Sequence, residues 1–149
     1  MHTAEVIWTC EGDFAKGTYS RGHIWRFDGG LEVPGSASPS VVPAPYSVAA
    51  AVDPEEAYIA SLSSCHMLWF LDLAKRNGLS VAAYHDQATG ALVSEGGRMW
   101  IPRVDLNISV DFDDAVPDKA DHRALHEKAH RACFIANSVK TEVVINLKD

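Results

Sequence analysis

The sequence has too few basic residues for a surface that binds nucleic acid. Its 149 residues contain 13 Lys and Arg against 20 Asp and Glu, which gives a net charge of -7. Because a phosphate backbone is bound by a basic face, this charge argues against a nucleic-acid partner. The one long apolar run, at residues 60–71, is also too short to cross a bilayer, which takes about 20 residues. We therefore expect neither a nucleic acid nor a membrane as a partner.

Cysteine is scarce as well, and the N-terminus lacks the features of a secretory signal. The first residues have neither a basic segment nor an apolar core. Without such a signal, the three cysteines, Cys10, Cys65 and Cys133, are expected to be reduced thiols in the cytoplasm. A chain of 149 residues can bury most of its surface without a metal or a disulfide. We predict one domain at residues 1–149, with no cofactor, no metal centre and no internal repeat.

The sequence does contain one long helix signal, at residues 53–77. Its start, Asp-Pro-Glu-Glu at residues 53–56, combines a capping residue, a first-turn proline and a capping-box glutamate. Gly78 follows the last turn and favours the left-handed conformation that ends helices. The middle of the segment, residues 60–71, carries no charge on any face, which is typical of a buried helix. Cys65 lies in this uncharged middle.

The remaining periodicities predict short strands and a second helix. Residues 103–112 alternate strictly between apolar and polar side chains, which predicts a half-buried strand. Gly29 and Gly30 favour the tight turn of a small antiparallel meander, and the Pro- and Ser-rich segment 34–52 reads as a long loop. The predicted strands are 5–10, 17–33, 79–92, 103–112 and 141–147, and the predicted helices are 53–77 and 118–136. This order favours an α+β fold.

A second cysteine lies on the inner face of the predicted helix 118–136. Leu125, Ala129 and Cys133 recur at helical spacing, so Cys133 is expected to point inward. Two inward cysteines on two helices can form a redox pair. Free cysteine is nevertheless among the most buried residue types, and composition alone favours two small core residues instead.

The same helix contains His-Glu-Lys-Ala-His at residues 126–130, which matches the H-E-x-x-H motif of zinc metalloproteases. The spacing places His126 and His130 on one helical face, with Glu127 as a candidate base. Charged residues surround the motif, His122 continues the same row, and no third ligand follows. Motifs this short often occur by chance. We therefore interpret this face as solvated surface and keep zinc hydrolysis as a minor alternative.

Two cysteine motifs together resemble those of the OsmC/Ohr family, the osmotically induced and organic-hydroperoxide-resistance proteins. The first is Asp-Pro-Glu-Glu-Ala-Tyr-Ile-Ala-Ser-Leu-Ser-Ser-Cys-His at residues 53–66. The second is Ala-Cys-Phe-Ile-Ala-Asn-Ser at residues 132–138, where Phe134 replaces the usual proline and Asn137-Ser138 reverses a serine-asparagine pair. The element order also matches along nearly the whole chain. The resemblance implies an OsmC-like α+β fold, with antiparallel sheets packed around long central helices in an intertwined homodimer.

The resemblance also implies a peroxiredoxin-like thiol peroxidase that reduces organic hydroperoxides. In the family, the first cysteine attacks the peroxide and becomes a sulfenic acid, and the second condenses with it to a disulfide. On this basis Cys65 is peroxidatic and Cys133 is resolving. A dithiol, in the family often a lipoylated protein, then reduces the disulfide.

The family activates its first cysteine with an arginine from the N-terminal sheet, and a glutamate early in the first motif holds that arginine. Glu55 matches the glutamate, Arg21 is nearest in register for the arginine, and Arg26 is the competing candidate. A cation is also needed on physical grounds. Cys65 lies mid-helix, beyond the field of the helix N-terminus, and a buried thiol without a cation is unreactive. The alternative for Glu55 is a simple helix-start carboxylate.

The spacing within the first helix predicts a dimer. Glu55 and Cys65 are ten residues apart, which separates them by about 15 Å along a continuous helix. One arginine cannot contact both within one subunit unless the helix breaks. Two antiparallel copies of the helix bring Glu55 of one subunit towards Cys65 of the other. We therefore predict an obligate homodimer with two shared sites, in agreement with the dimer that the resemblance implies.

A second alternative is a non-catalytic OsmC-like protein that binds a small apolar ligand and has an inert Cys65. The hydroperoxide cannot be named from the sequence. Four apolar residues can line a site for organic hydroperoxides, although at helical spacing such residues are more often core. They are Tyr46, Met67, Trp69 and Phe70. Cys10 has no assigned role.

Overall fold

The long helix joins two compact units of the chain. A computed structural model describes residues 1–148, and its contacts group them into Met1–Tyr58 and a second unit that begins at Ile59. The boundary falls inside the helix, which therefore contributes residues to both units. The assignment of residues 1–149 to a single domain stays a prediction.

Five short strands form the first unit. They are β1 (Ala4–Ile7), β2 (Gly12–Asp13), β3 (Thr18–Tyr19), β4 (His23–Phe27) and β5 (Glu32–Gly35). β1, β4 and β5 form an antiparallel sheet in that order, and β2 pairs with β3 in a separate hairpin. Gly30 adopts a φ of 85° in the turn between β4 and β5, which glycine does without steric cost. The predicted antiparallel meander with its glycine turn is confirmed.

The helix α1 spans Pro54–Arg76, close to the predicted 53–77. A reciprocal capping box closes its start: Asp53 Oδ1 accepts from the Glu56 amide at 2.8 Å, and Glu56 Oε2 accepts from the Asp53 amide at 3.1 Å. Gly78 follows its end with a φ of 74°. Within residues 1–148, no helix combines the length and apolar character that a membrane crossing requires.

One face of α1 is buried and the opposite face is exposed. The buried positions recur every fourth residue: Leu62, His66, Phe70 and Ala74. The exposed positions recur in the same way: Ala60, Ser64 and Leu68. Within a single chain the helix is therefore buried on one side only, and the expected burial of the exposed face in a dimer stays a prediction.

The second unit contains a four-stranded sheet, a small hairpin and a second helix. Its elements are β6 (Val81–Asp86), β7 (Thr89–Gly90), β8 (Val93–Glu95), β9 (Arg98–Trp100), β10 (Arg103–Phe112), α2 (Lys119–Ala132) and β11 (Glu142–Leu147). β10 pairs with β6, β7 and β11, and β8 pairs with β9. β10 and β11 run parallel, whereas only antiparallel pairing was expected. Parallel neighbours need a long crossover, which α2 provides because it lies between them in the chain.

The alternation predicted for β10 is confirmed, since Val104, Leu106 and Ile108 are fully buried.

Other buried residues fix α1 and α2 against each other. A separate core cluster joins the two helices through Phe70 and Ala74 of α1 and Leu125 and Ala129 of α2. Burying a large apolar side chain contributes about 1.5–3 kcal/mol, so this contact holds the helices firmly.

α2 ends at Ala132, four residues before the predicted end, and Cys133 is its C-cap. The ψ of Cys133 is 113°, which is not helical. Side chains beyond the cap bind nearby carbonyls: Asn137 Nδ2 donates to Arg131 O at 3.1 Å, and Ser138 Oγ donates to Phe134 O at 2.7 Å. Asparagine and serine side chains compete in this way with the hydrogen bonds of a helix. The spacing of apolar residues carries no information about this competition, so it predicted a helix end that is too late.

Candidate active site

The structure brings Cys65 and Cys133 together. Cys65 is half-buried in the middle of α1, and Cys133 is 1% exposed at the C-cap of α2. The two thiols lie within hydrogen-bond reach of each other. Cys10 belongs to the first unit, where it is exposed. Sequence reasoning thus identified the two cysteines that meet, and their catalytic roles stay predictions.

The two thiols differ in their surroundings. Burial and, after it, the hydrogen bond with Cys65 raise the pKa of the Cys133 thiol to about 11. The amide of Ala136 donates to Cys133 Sγ at 3.4 Å and opposes this rise. Cys133 is therefore protonated at neutral pH and shielded from solvent. Cys65 is the member of the pair that an external molecule can reach.

An apolar groove of about 560 Å³ opens over Cys65. Its lining comprises Ser61, Ser64, Cys65, Leu68, Trp69, Asp72, Phe134 and Ile135. Trp69 and Phe134 meet edge to face, with ring centres 5.4 Å apart and an angle of 84°. Of the four apolar residues expected to line a substrate site, Trp69 does so, whereas Phe70 is fully buried core. The groove can admit a small apolar molecule to the Cys65 sulfur.

Arg21 lies in a pocket of the first unit, next to aromatic side chains. The pocket has a volume of about 390 Å³, and Trp8, Phe14 and Tyr19 contribute to its lining. The Arg21 guanidinium stacks over the Tyr19 ring at 3.6 Å from its centroid. Its Nη1 donates to the carbonyl oxygen of Gly17 at 3.1 Å and to that of Tyr19. Among residues 1–148, no carboxylate forms a salt bridge with Arg21.

Glu55 presents a carboxylate oxygen that lacks a partner. Its Oε2 is buried and makes no hydrogen bond within the described part of the chain. A buried polar atom in this state is costly, and such atoms are rare in folded proteins. Glu55 and Arg21 both belong to the first unit and do not pair there. The predicted arginine–glutamate pair is therefore not formed within this chain.

Arg26, the competing candidate for the activating arginine, is already paired. Its Nη1 lies 3.1 Å from Glu5 Oε2, and its Nη2 lies 2.7 Å from Glu32 Oε1. All three side chains are exposed at the surface of the β1–β4–β5 sheet. Because two carboxylates neutralise Arg26, Arg21 is the candidate whose charge is available to stabilise a thiolate.

The H-E-x-x-H face of α2 is buried, so its interpretation as solvated surface is wrong. His126 is 0% exposed, and its Nδ1 lies 2.9 Å from Nε2 of His66 on α1. Its Nε2 lies 3.1 Å from Nε2 of His122. The exposed charges of the motif, Glu127 and Lys128, lie on the other side of the helix. A count of charged neighbours does not show which side of a helix faces inward.

Burial keeps these imidazoles neutral. It lowers the pKa of His66 to about 4, with the charge of His130 as a further cause. It lowers the pKa of His126 to about 3, with His66 as the next cause. The sequence analysis did not predict this histidine cluster. The available signal was the position of His66, which shares the helical spacing of the buried residues of α1. Among residues 1–148, no three His, Cys, Asp or Glu side chains are arranged to hold a metal ion.

Residues 47–148 match the family model for OsmC-like protein. The chain is 45% identical to an OsmC-like protein of unknown function from Vibrio cholerae, over 99% of both chains and with a TM-score of 0.96. No curated protein matches the sequence.

Two more distant structures are named for hydroperoxide resistance. The organic hydroperoxide resistance protein of Elizabethkingia anophelis is 19% identical, with a TM-score of 0.72 over 100% of this chain and 97% of that one. OhrB of Bacillus subtilis is 20% identical, with a TM-score of 0.70 over 98% of both chains. At these identities the likeness shows a shared fold, which confirms the predicted α+β class. The family match covers most of the sequence, including Cys65 and Cys133, and the chain therefore belongs to the OsmC-like protein family.

Proposed function

We propose that the protein is a cysteine-based thiol peroxidase that reduces organic hydroperoxides. The observation that carries this proposal is the position of Cys65 in an apolar groove, with the buried Cys133 within hydrogen-bond reach. Membership of the OsmC-like family supports a redox function in general. The two relatives named as organic hydroperoxide resistance proteins share the fold.

In the first step, the Cys65 thiolate attacks the terminal oxygen of the hydroperoxide. A sulfur–oxygen bond forms and the oxygen–oxygen bond breaks, so the sulfur loses two electrons and the peroxide gains them. The leaving alkoxide takes up the proton that the Cys65 thiol has released and departs as an alcohol. Cys65 is left as a sulfenic acid. The apolar lining of the groove favours a hydroperoxide whose organic group is apolar.

In the second step, the Cys133 sulfur attacks the sulfenic sulfur of Cys65. A disulfide forms, the sulfur–oxygen bond breaks, and the Cys133 proton leaves with the hydroxide as water. A dithiol then restores both thiols by exchange, and we assign a lipoylated protein to this role on the strength of the family resemblance. Such a dithiol cycle requires a reducing compartment, which agrees with the predicted cytoplasmic location.

The active unit of this proposal is a homodimer that completes the site. Ala60, Ser64 and Leu68 form an exposed face on α1, and their small or apolar side chains permit close approach of a second helix. Two antiparallel copies of α1 along this face carry Glu55 of one subunit towards Cys65 of the other. Arg21 belongs to the same unit as Glu55, and Pro54 also lines its pocket, so the same arrangement carries the charge of Arg21 and the unpaired oxygen of Glu55 together towards Cys65 of the other subunit.

Stopped-flow oxidation of the fully reduced protein tests this function. Tryptophan fluorescence provides the signal, because Trp69 lines the groove beside Cys65. Wild-type protein should react rapidly with cumene hydroperoxide and more slowly with hydrogen peroxide. Cys65→Ser should abolish the reaction, and Cys10→Ser is the matched control that should retain it. A wild-type protein inert towards both peroxides would contradict the proposal and favour the non-catalytic ligand-binding alternative.

A further inference from the structure

A hydrogen-bonded chain of three imidazoles runs from α1 across to α2 and along it. Nε2 of His66 and Nδ1 of His126 are 2.9 Å apart, and Nε2 of His126 and Nε2 of His122 are 3.1 Å apart. His66 and His126 are fully buried. A neutral imidazole has one donor and one acceptor, so His126 satisfies both of its nitrogens within the chain.

Stability alone does not account for this arrangement. A hydrogen bond between buried neutral groups offsets little more than the cost of removing them from water. Apolar side chains of the same shape are about equally favourable in such a position. The His66–His126 bond differs from apolar packing in being directional. It forms only when α1 has one particular rotation and one particular axial position relative to α2.

The His66–His126 bond joins the same two helices as the thiol pair. His66 directly follows Cys65 on α1, and His126 precedes Cys133 by seven residues, which is two helical turns on the same face. The two contacts are therefore one residue apart on α1 and about 10 Å apart along α2, so together they set the rotation of one helix against the other. The stacking of Phe70 on the His126 ring, with centroids 4.0 Å apart and an angle of 12°, fixes the orientation of that ring.

We propose that His66 and His126 are positioning residues, whose bond holds α1 and α2 at the rotation that places Cys65 against Cys133. This inference rests on the proposed Cys65–Cys133 disulfide. A disulfide forms only where the two Cα atoms lie about 4.4–6.8 Å apart with suitable Cβ directions. Apolar packing tolerates small rotations between helices, whereas a directional bond one residue away from Cys65 does not.

The equilibrium of the thiol pair with glutathione measures this positioning. The protein dithiol and glutathione disulfide exchange to give the protein disulfide and two glutathione thiols, so two electrons pass from the protein to glutathione. The equilibrium constant reports how favourably the fold presents the two sulfurs to each other. Peroxide takes no part in this measurement, so failure of the peroxidase reaction leaves it valid.

A matched pair of variants separates the bond from the packing of the ring. His126→Phe keeps an aromatic ring against Phe70 and removes the bond, which leaves the helices of the reduced protein free to rotate, so the equilibrium constant should fall by up to about tenfold, the limit that one net hydrogen bond sets. His126→Asn places an amide atom at the Nδ1 position and should restore the constant to within about threefold of wild type. His122→Asn leaves the His66–His126 bond intact and should change the constant less than about twofold.

A second pair on α1 keeps the proposal testable if a His126 variant does not fold. His66→Gln carries a polar atom at the position of Nε2, and His66→Met fills a similar volume without one. We expect the equilibrium constant of His66→Gln to stay near that of wild type and the constant of His66→Met to fall by up to about tenfold. A wild-type constant in the apolar variants, or an equal fall within each matched pair, would overturn the positioning role.

Discussion

Mild acid should destabilise this protein because His66 and His126 are buried as neutral rings. Their pKa values in the folded protein are about 4 and about 3, against a value of about 6.5 in an unfolded chain. A histidine pKa that is lower in the folded protein than in the unfolded chain means that the native state favours the neutral ring. The stability is therefore fully present above about pH 6.5 and is lost as the pH falls towards the folded values.

The loss should be large compared with the stability of a domain. At pH 5, about 1.5 units below the unfolded pKa, each buried histidine costs about 2 kcal/mol, or about 4 kcal/mol for both. A typical domain unfolds with a free energy of only about 5–15 kcal/mol. The half-buried His122, whose pKa burial also lowers, acts in the same direction. The pKa of Asp105 is lowered to about 2, chiefly by its hydrogen bond with Arg103, so that carboxylate matters only at lower pH.

Urea unfolding followed by tryptophan fluorescence between pH 7.5 and pH 5 tests this prediction. Protein concentration is held constant, since a dimer's apparent stability depends on it. The free energy of unfolding should fall by about 4 kcal/mol in wild type and by less than about 1 kcal/mol in the double variant His66→Gln/His126→Asn. A flat wild-type profile, or equal slopes for the two proteins, would refute the reasoning.

Three further predictions concern the proposed reaction. Cys133→Ser should consume about one equivalent of peroxide and then stall as a sulfenic or sulfinic acid, visible by mass spectrometry; sustained turnover with a dithiol would remove Cys133 from the mechanism. Arg21→Ala should slow the oxidation of Cys65 about tenfold or more at neutral pH in stopped flow. Arg26 is already paired with two carboxylates, so Arg26→Ala should change the rate less than about twofold. Equal effects of the two variants would contradict the assignment of Arg21. A purified heterodimer of Glu55→Ala and Cys65→Ser subunits should keep about half of wild-type peroxide turnover, since one shared site is intact. Turnover no higher than half that of the Glu55→Ala homodimer would place each site within one chain.

The elements and the cysteine pair were predictable because local signals specify them. The capping box at Asp53 and Glu56 sets the start of α1, and its reciprocal hydrogen bonds are both formed. Cys133 continues the apolar spacing of Leu125 and Ala129, so its inward position follows from helical periodicity. Cys65 was identified by its family motif, because a cysteine in an uncharged helix carries no directional signal of its own.

The histidine chain and the position of Arg21 were not predictable because they depend on long-range packing. His126 lies among charged residues in the sequence, yet those charges and the imidazole point to opposite sides of α2. Its partner His66 is 60 residues away in the chain. Arg21 stacks on Tyr19 instead of pairing with Glu55, and no spacing rule distinguishes these two arrangements.

The central claim is that a hydroperoxide converts Cys65 and Cys133 into a disulfide. Reduced protein treated with one equivalent of cumene hydroperoxide, then alkylated and mapped by mass spectrometry, tests this claim most directly. We predict the loss of two hydrogens per chain, a linked peptide that contains Cys65 and Cys133, and an alkylated Cys10. An unchanged mass, or a disulfide that includes Cys10, would contradict it.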